Sequence, residues 1–292
     1  MGKSIFYNIR RKCQLIAADI LSKETMSKLY FKIVLGEKLN LDNPQTFNEK
    51  VQWLKLYEWP NNALAVKCAD KYAVREYVKQ CGYEELLNDL YGVWDNADDI
   101  DWAKLPDQFV LKCNHGCGYN IICPDKSKLD EKATKKQLNK WLKEDFGKFN
   151  IEPHYSKIKP KVICEKFLGG NMIDYKFYFF DGEYQFMYIA QGFGEGIDES
   201  VSFFDKDGKK AAFRRTDYPE FSNAELPQQY ENMLKISQKF ADDFPFVRVD
   251  LFENNGKIYF SELTFTPCGG MMKISPKEYD LAIGKKLNIL VK

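Results

Sequence analysis

The segment TFNEKVQWLKLY places Phe47, Val51 and Leu54 at helical spacing behind Thr46. Glu49 follows three residues later, so a capping box is expected to open this helix. A second helical pattern runs from about Asn62 to Gln80, ending before Gly82, with Val66, Tyr72, Val74 and Tyr77 inward. The first 105 residues therefore read as a helical N-terminal portion. From Gln108 the period changes. FVLKCN and YNIIC are short, β-rich and separated by a loop holding Gly116 and Gly118, which predicts a hairpin. A polar amphipathic helix is expected over about 128–146, then a strand KVICEKFL. IDYKFYFF and YQFMYIA follow, joined by the turn dipeptide Asp181-Gly182. After a helix over about 225–242 comes a second hairpin, FVRVDLFENNGKIYFSELTF, turning at 254–256, and a closing helix from Pro276. Strands arrive in hairpins between helices rather than in βαβ alternation, so the pattern predicts an α+β fold with antiparallel sheets.

Composition narrows the chemistry. The 292 residues carry 43 Lys and Arg against 42 Asp and Glu, a net charge of +1, which demotes nucleic acid as a partner. With two histidines, His115 and His154, sites built on several imidazoles are excluded, and carboxylates, Lys, Arg and backbone must carry the chemistry. No stretch approaches 18 apolar residues and no signal-peptide run is present, so a reducing cytoplasm is the expected compartment, with eight cysteines that need not pair. The basic first turns, with Lys3, Arg10, Arg11 and Lys12, read as a solvated helix face, with peripheral membrane contact the alternative.

The last hairpin holds the sharpest chemical signal. Arg248 and Asp250 share one strand face, and Glu262 shares one with Thr264 and Thr266. Asp250 lies opposite Glu262 if the loop has an odd count; a two-residue loop puts Ser261 there and turns Glu262 away. With the odd loop, two carboxylates sit cross-strand as hard oxygen ligands suited to Mg²⁺ plus substrate phosphates. The bland alternative is an exposed hairpin with solvated charges. Elsewhere, Lys112 ends a strand before a glycine-containing loop whose N–H groups could meet phosphate, although no Walker A sequence closes it. Cys113, His115, Cys117 and Cys123 lack the paired spacing of a zinc site. Asp174 and Lys176 share a strand face. The GFGEG stretch at 192–196 opens no helix and reads as a mobile loop rather than a dinucleotide site.

In order, these pieces resemble the ATP-grasp fold. Glu165 to Leu168, EKFL, resembles a hinge strand along adenine, and Asp250 and Glu262 keep the twelve-residue separation of the paired metal acids, with Thr264 where Asn is usual. The phrases NPQTFNEKVQWLKLY, CADKYAVREYV, LPDQFVLKCNHGCGYNIIC, DYKFYFFDG and FVRVDLF…GKIYFSELTFTP resemble the TupA-like ATP-grasp family of bacterial surface-polysaccharide and teichuronopeptide clusters, from about Leu35 to the C-terminal helix. The resemblance implies a helical portion 1–105, a small lid subdomain 106–168 and a core subdomain 169–292, with two antiparallel sheets clasping ATP. It implies that Lys71 and Lys112 reach the ATP phosphates and that the loop 114–120, with Gly116 and Gly118, closes over them. Glu165, Lys166, Phe167 and Leu168 would hold adenine, chiefly through the main chain of Lys166 and Leu168. Lys176 would face the γ-phosphate or an acyl phosphate, Asp250, Glu262 and Thr264 would hold two Mg²⁺ ions, and Arg248 would stabilise charge at the reacting centre. Arg75 could touch substrate or pair with an acid. The activity implied is carboxylate–amine ligation through an acyl phosphate. Its partners would be a uronic acid or other glycan-precursor carboxylate, for which Lys273, Arg214 and Arg215 are cationic candidates, an amine, and other polysaccharide-assembly enzymes. The PHY motif at His154 allows substrate contact. A sugar kinase and a glycosyltransferase are the alternatives, the latter normally presenting a strand-terminal Asp-x-Asp, whereas the letters at 205–207, followed by Gly208, read as a hairpin turn.

Overall fold

A computed structural model describes residues 5–169, 172–192 and 199–290. Two helices, α1 (Ile5–Ile20) and α2 (Lys23–Leu35), lead into α3 (Phe47–Trp53), which runs on as a wider turn over Leu54–Glu58. The expected capping box opens α3: the Thr46 hydroxyl accepts from Glu49 N at 3.2 Å, and the Glu49 carboxylate accepts from Thr46 N at 3.1 Å. The helix expected over 62–80 is instead two, α4 (Ala63–Ala69) and α5 (Val74–Gln80). Asp70 breaks it, because its carboxylate accepts from Tyr72 N and Ala73 N and caps a new start. The chain continues through β1 (Leu90–Trp94), β2 (Phe109–Cys113), β3 (Asn120–Cys123), α6 (Glu131–Leu142), α7 (Phe146–Asn150) and β4 (Val162–Lys166). Then come β5 (Asp174–Phe180), β6 (Glu183–Gln191), β7 (Ser200–Asp205), β8 (Arg214–Arg215), α8 (Tyr230–Ala241), β9 (Phe246–Asn254), β10 (Lys257–Thr264), β11 (Ile274–Ser275) and α9 (Glu278–Gly284). Residues 193–196 of the GFGEG stretch and the side chains of Lys3, Arg10 and Lys12 lie outside the described residues.

Two antiparallel sheets organise the chain, one ordered β1-β4-β2-β3 and the other β10-β9-β5-β6-β7. The fold is thus α+β, as the hairpin pattern predicts. The helical portion 1–105 is corrected in one respect, since β1 lies within it and pairs with β4 in the small sheet. Five residues with Gly92 at the centre and only partial burial leave too short an alternation to read. The remaining N-terminal helices are shared out: α3 to α5 pack on the five-stranded sheet, whereas Leu15 of α1 packs on the small one. Arg11 reaches inward, bonding Glu144 at 2.9 Å and lying 3.1 Å over the Phe149 ring, so its expected solvated position is also corrected. Among the described residues no helix is long and apolar enough to cross a membrane.

The five-stranded sheet is covered differently on its two faces, and this places the site. Phe177, Val247, Val249 and Leu251 point to one face, closed by α8 through Tyr230 and Phe240. Tyr178, Phe180 and Phe246 point to the other, where Phe47 of α3 packs against all three. The α3 cover stops there. Further along that face the next positions are Lys176, Arg248 and Asp250.

Helix α9 locks against the start of α3. Lys50 Nζ donates to the carbonyls of Gly284 and Leu287 at 2.8 and 2.7 Å, and Asp280 accepts from Asn48 N at 3.0 Å. A Cβ at Gly284 would lie 2.3 Å from Gln45 O and 2.5 Å from Phe47 N. Both are backbone atoms that cannot yield alone, so Gly284→Ala is expected to destabilise the fold by about 1–3 kcal/mol. Urea unfolding should show the lowered midpoint, and an unchanged midpoint would mean that α9 is free to shift.

Candidate active site

The centre of the site is a carboxylate with no exposure at all, Asp250. A buried carboxylate must be matched by cations, and two supply the match. Arg248 grips it from two positions away, Nε to Oδ1 and Nη2 to Oδ2, both at 2.6 Å. Lys176, its cross-strand partner on β5, donates to Oδ2 at 2.6 Å and sits 3.7 Å from Asp174. The same guanidinium reaches Tyr188 Oη at 3.3 Å, Thr264 Oγ1 at 2.9 Å and Glu262 Oε1 at 3.4 Å.

Glu262 does face Asp250, but not by the odd-loop route. The turn is two residues, Asn255 and Gly256, both at positive φ, with Asn254 paired to Lys257. That register alone would put Ser261 opposite Asp250. A β-bulge between Phe260 and Glu262 absorbs one residue, so Phe260 pairs with Leu251 on the α8 face and Glu262 pairs with Asp250 on the site face. Lys71, from the turn that interrupts α4 and α5, donates to Glu262 Oε2 at 3.3 Å, and the Thr264 hydroxyl donates to Oε1 at 3.1 Å.

Three cations and three carboxylates thus compensate one another: Lys71, Lys176 and Arg248 against Asp174, Asp250 and Glu262. Burial would push the Glu262 carboxyl up, but Lys71, Arg248 and Lys176 outweigh it and bring it down to about 2. Burial would likewise lower Lys176, yet Asp174 and Asp250 raise it above the ordinary lysine value. Burial pushes the Asp174 carboxyl up, against the opposing pull of Lys176.

The donors available to a metal are hard oxygens, which suits Mg²⁺. Asp250, however, is engaged at both oxygens, Thr264 Oγ1 is already shared between Arg248 and Glu262, and among the described residues no three His, Cys, Asp or Glu side chains group as a cage. Two carboxylates fit a magnesium ion arriving with phosphate oxygens and water, and do not fit a free cation.

Beside this cluster, Glu165 of β4 bridges Lys112 Nζ at 2.7 Å and Arg75 Nη1 at 3.3 Å. Arg75 also donates to Asn88 O at 2.8 Å, so its guanidinium pairs with an acid and a main-chain carbonyl. Lys71, Lys112, Glu165, Leu87, Phe252 and Phe260 border a cavity of only about 50 Å³. Ligand pockets usually exceed roughly 300 Å³. The cavity around these ion pairs is therefore smaller than an ordinary ligand pocket. Lys166 and Phe167 line a separate open cleft at the sheet's outer end, with Tyr91 and Pro106. The main chain of Lys166 is already used, N–H to Asp89 O at 3.0 Å and C=O accepting from Asn88 Nδ2 at 2.8 Å, while Leu168 O accepts from Asn254 Nδ2 at 2.7 Å.

The loop over 114–120 is not free to close on its own. Asn114, His115, Gly116 and Tyr119 are buried, Asn114 being tied to Asp70 and to Lys159 and Lys161. Gly116 is needed because a Cβ there would come within 2.7 Å of the Phe146 ring. Cys117 and the left-handed Gly118 at the tip are exposed, as is Asn120, and Glu262 and Lys71 bias the ionisation of the Cys117 thiol. Closure would have to move the β2-β3 hairpin as a body. Of the other candidates, Arg215 is buried and held bidentately by Asp217 at 2.9 and 2.6 Å, and Arg214 is exposed on the same short strand.

The TupA-like ATPgrasp family profile matches residues 49–288, which is most of the chain. The chain belongs to the TupA-like ATP-grasp family. No curated protein matches. Among solved structures, the L-amino acid ligase from Bacillus licheniformis is 15% identical, covering 70% of this chain and 44% of its own, with a TM-score of 0.46. D-alanine–D-alanine ligase from Bacillus anthracis, complexed with ATP, is 19% identical over 76% of this chain and 64% of its own, TM-score 0.47. Phosphoribosylamine–glycine ligase from Thermotoga maritima is 13% identical over 73% and 52%, TM-score 0.43. The chain thus spans between 44% and 64% of these proteins.

The sequence reading missed a second polar cluster beside the family's charged centre. Lys55 and Glu152 are both buried; the Thr266 hydroxyl donates to Glu152 Oε1, and Lys55 Nζ donates to Gly269 O at 3.0 Å. Lys55 could have been found, because it lies one turn beyond Val51 on the buried face of α3. Glu152 carries no comparable signal. His154, two residues on, is wholly buried with neither ring nitrogen hydrogen-bonded among the described residues. Burial, aided by the Lys55 charge, brings its pKa down to about 3 from 6.5. The unfolded chain takes up that proton below about 6.5 and the folded one does not, so this group withdraws stability as pH falls through that window. From pH 6.5 to 4.5 the loss from this group should be about 2 kcal/mol. Urea unfolding of His154→Phe at the two pH values should lack that increment; an equal loss in both proteins would disprove the assignment.

Proposed function

We propose that this protein is an ATP-dependent carboxylate–amine ligase that forms an amide through an acyl phosphate, acting on a uronic acid or related glycan precursor in surface-polysaccharide assembly. The observation that carries the proposal is the self-neutralised set of three cations and three carboxylates on the sheet face beyond the Phe47 contact, in a chain of the ATP-grasp family. Such a set is preorganised for a highly charged phosphate and holds no surplus charge until that phosphate arrives.

A carboxylate resists attack by an amine because it is already anionic and offers no competent leaving group; transferring the γ-phosphoryl group of ATP to it supplies one. Lys71 and Lys112 would exchange their carboxylate partners for phosphate oxygens. Lys176 would meet the transferred group, and Arg248, fixed by Asp250 on one side and Tyr188 on the other, would stay in place to stabilise charge as it develops. Glu165 to Leu168 would border adenine. Asp250 and Glu262, with Thr264 behind them, would hold Mg²⁺ carried in with the nucleotide. That ion would supply Lewis-acid neutralisation of the phosphate oxygens. The hairpin tip at Cys117 and Gly118 would exclude water, which otherwise consumes the acyl phosphate.

The glycosyltransferase alternative finds no support. Asp205 Oδ1 accepts from Asp207 N and Lys209 N at 3.0 and 2.9 Å, so the Asp-x-Asp letters serve a turn on the edge strand. The test is incubation with MgATP, uronic acids and hydroxylamine as trap. ATP-dependent hydroxamate is expected, and a stable phosphorylated sugar would replace the ligase with a kinase. Glu262→Gln should lower kcat by about 100-fold or more with a modest fall in the unfolding midpoint, because Lys71 and Arg248 lose an ionised partner; undiminished turnover in that variant would remove Glu262 from the site.

A further inference from the structure

The second polar cluster has no part in phosphoryl transfer, yet it borders the same space. Thr266 extends the line of Glu262 and Thr264 along one strand direction, and its hydroxyl holds one oxygen of Glu152. The other oxygen, Oε2, makes no hydrogen bond among the described residues and is not sealed from solvent, the residue keeping 8% of its surface accessible. Thr264, two residues before Thr266, is held by Arg248 and Glu262, so Glu152 lies next along the chain from the charged centre.

We propose that Glu152 is the proton acceptor for the incoming amine, with Thr266 orienting its carboxylate, so that this region is the subsite for a primary ammonium substrate. The assignment rests on the ligase reading and adds to it the group that activates the nucleophile. An amine reaches the site as its ammonium and must shed a proton before attack. That proton passes to Glu152, and the freed lone pair forms the C–N bond to the acyl carbon. The C–O bond to phosphate breaks with its electron pair leaving on phosphate, and the second N–H proton departs with the phosphate or to water.

The other acids nearby suit this role less. Asp250 and Glu262 are engaged by Arg248, Lys176 and Lys71, and Asp174 is bridged by Lys176. Glu152 has no cation within salt-bridge distance among the described residues, because Lys55 is committed to Gly269 O. Burial pushes the Glu152 carboxyl up, against the pull of the Thr266 hydroxyl and Lys55, while burial brings Lys55 down to about 8. A carboxylate of raised proton affinity is a better base than one clamped by cations. His154 is held neutral far below pH 7 and takes no proton there.

The experiment compares two nucleophiles on wild type and Glu152→Gln with MgATP and a panel of uronic and amino acids. One is hydroxylamine, which is neutral at pH 7 and needs no base; the other is glycine, which arrives as an ammonium. Glu152→Gln should lose amide formation about 100-fold or more and hydroxamate formation far less, with part of the amide loss recovered by raising the pH. Glu152→Asp, which retains a carboxylate, should keep measurable amide formation and guards against misfolding in the first variant. Equal loss of both products in Glu152→Gln, or loss of neither, overturns the assignment. Absence of hydroxamate in the wild type removes the ligase reading itself and the inference with it.

Discussion

Asp250 is the constraint from which the rest of the site follows. A fully buried carboxylate is tolerated only when its charge is met at close range, and here Arg248 and Lys176 meet it from its own strand and from the neighbouring one. Removing either cation would leave a buried charge uncompensated, so the three side chains behave as one unit. Arg248 then carries the effect outward to Glu262, Thr264 and Tyr188. The face geometry supports this arrangement. Phe47 seals the apolar end of the same sheet face, and the polar unit lies beyond the Phe47 contact.

A single extra residue makes the second carboxylate available. Phe260 and Glu262 are two apart and in a regular strand would share a face. The bulge at Ser261 sends Phe260 into the core beneath α8 and Glu262 to the site. Both an apolar and a charged requirement are met within one short strand. The cost is local twist, which bulges supply beside functional sites.

The hairpins, the capping box at Thr46 and Glu49, the turns at 181–182 and 255–256 and the alternation of β5 and β9 were readable because they depend on local chemistry. The break at Asp70 was not, because its capping competes with a helical periodicity that continues unbroken on either side. Nor was β1, whose partial burial leaves no alternation to detect. Parity within the hairpin posed the right question about Glu262 but could not answer it, since a bulge leaves no mark beyond an ordinary serine. Lys71, Lys112, Glu165, Lys176, Arg248, Asp250 and Glu262 were all singled out in the sequence. Their contacts were not: Lys112 is spent on Glu165 and Lys71 on Glu262, pairings between distant segments. The anchoring of 114–116 under Phe146 likewise arises only when α7 packs on the small sheet.

The central claim is that the charged centre is balanced by itself and accepts a metal only together with nucleotide phosphates. Isothermal titration calorimetry of the wild-type protein tests it most directly, with MgCl₂ alone, ATP in the presence of EDTA, and MgATP as three separate titrants. Saturable binding of MgATP, much weaker binding of metal-free ATP and no binding of Mg²⁺ alone is the predicted result. Tight binding of Mg²⁺ without nucleotide, or ATP affinity that is indifferent to the metal, would contradict the account.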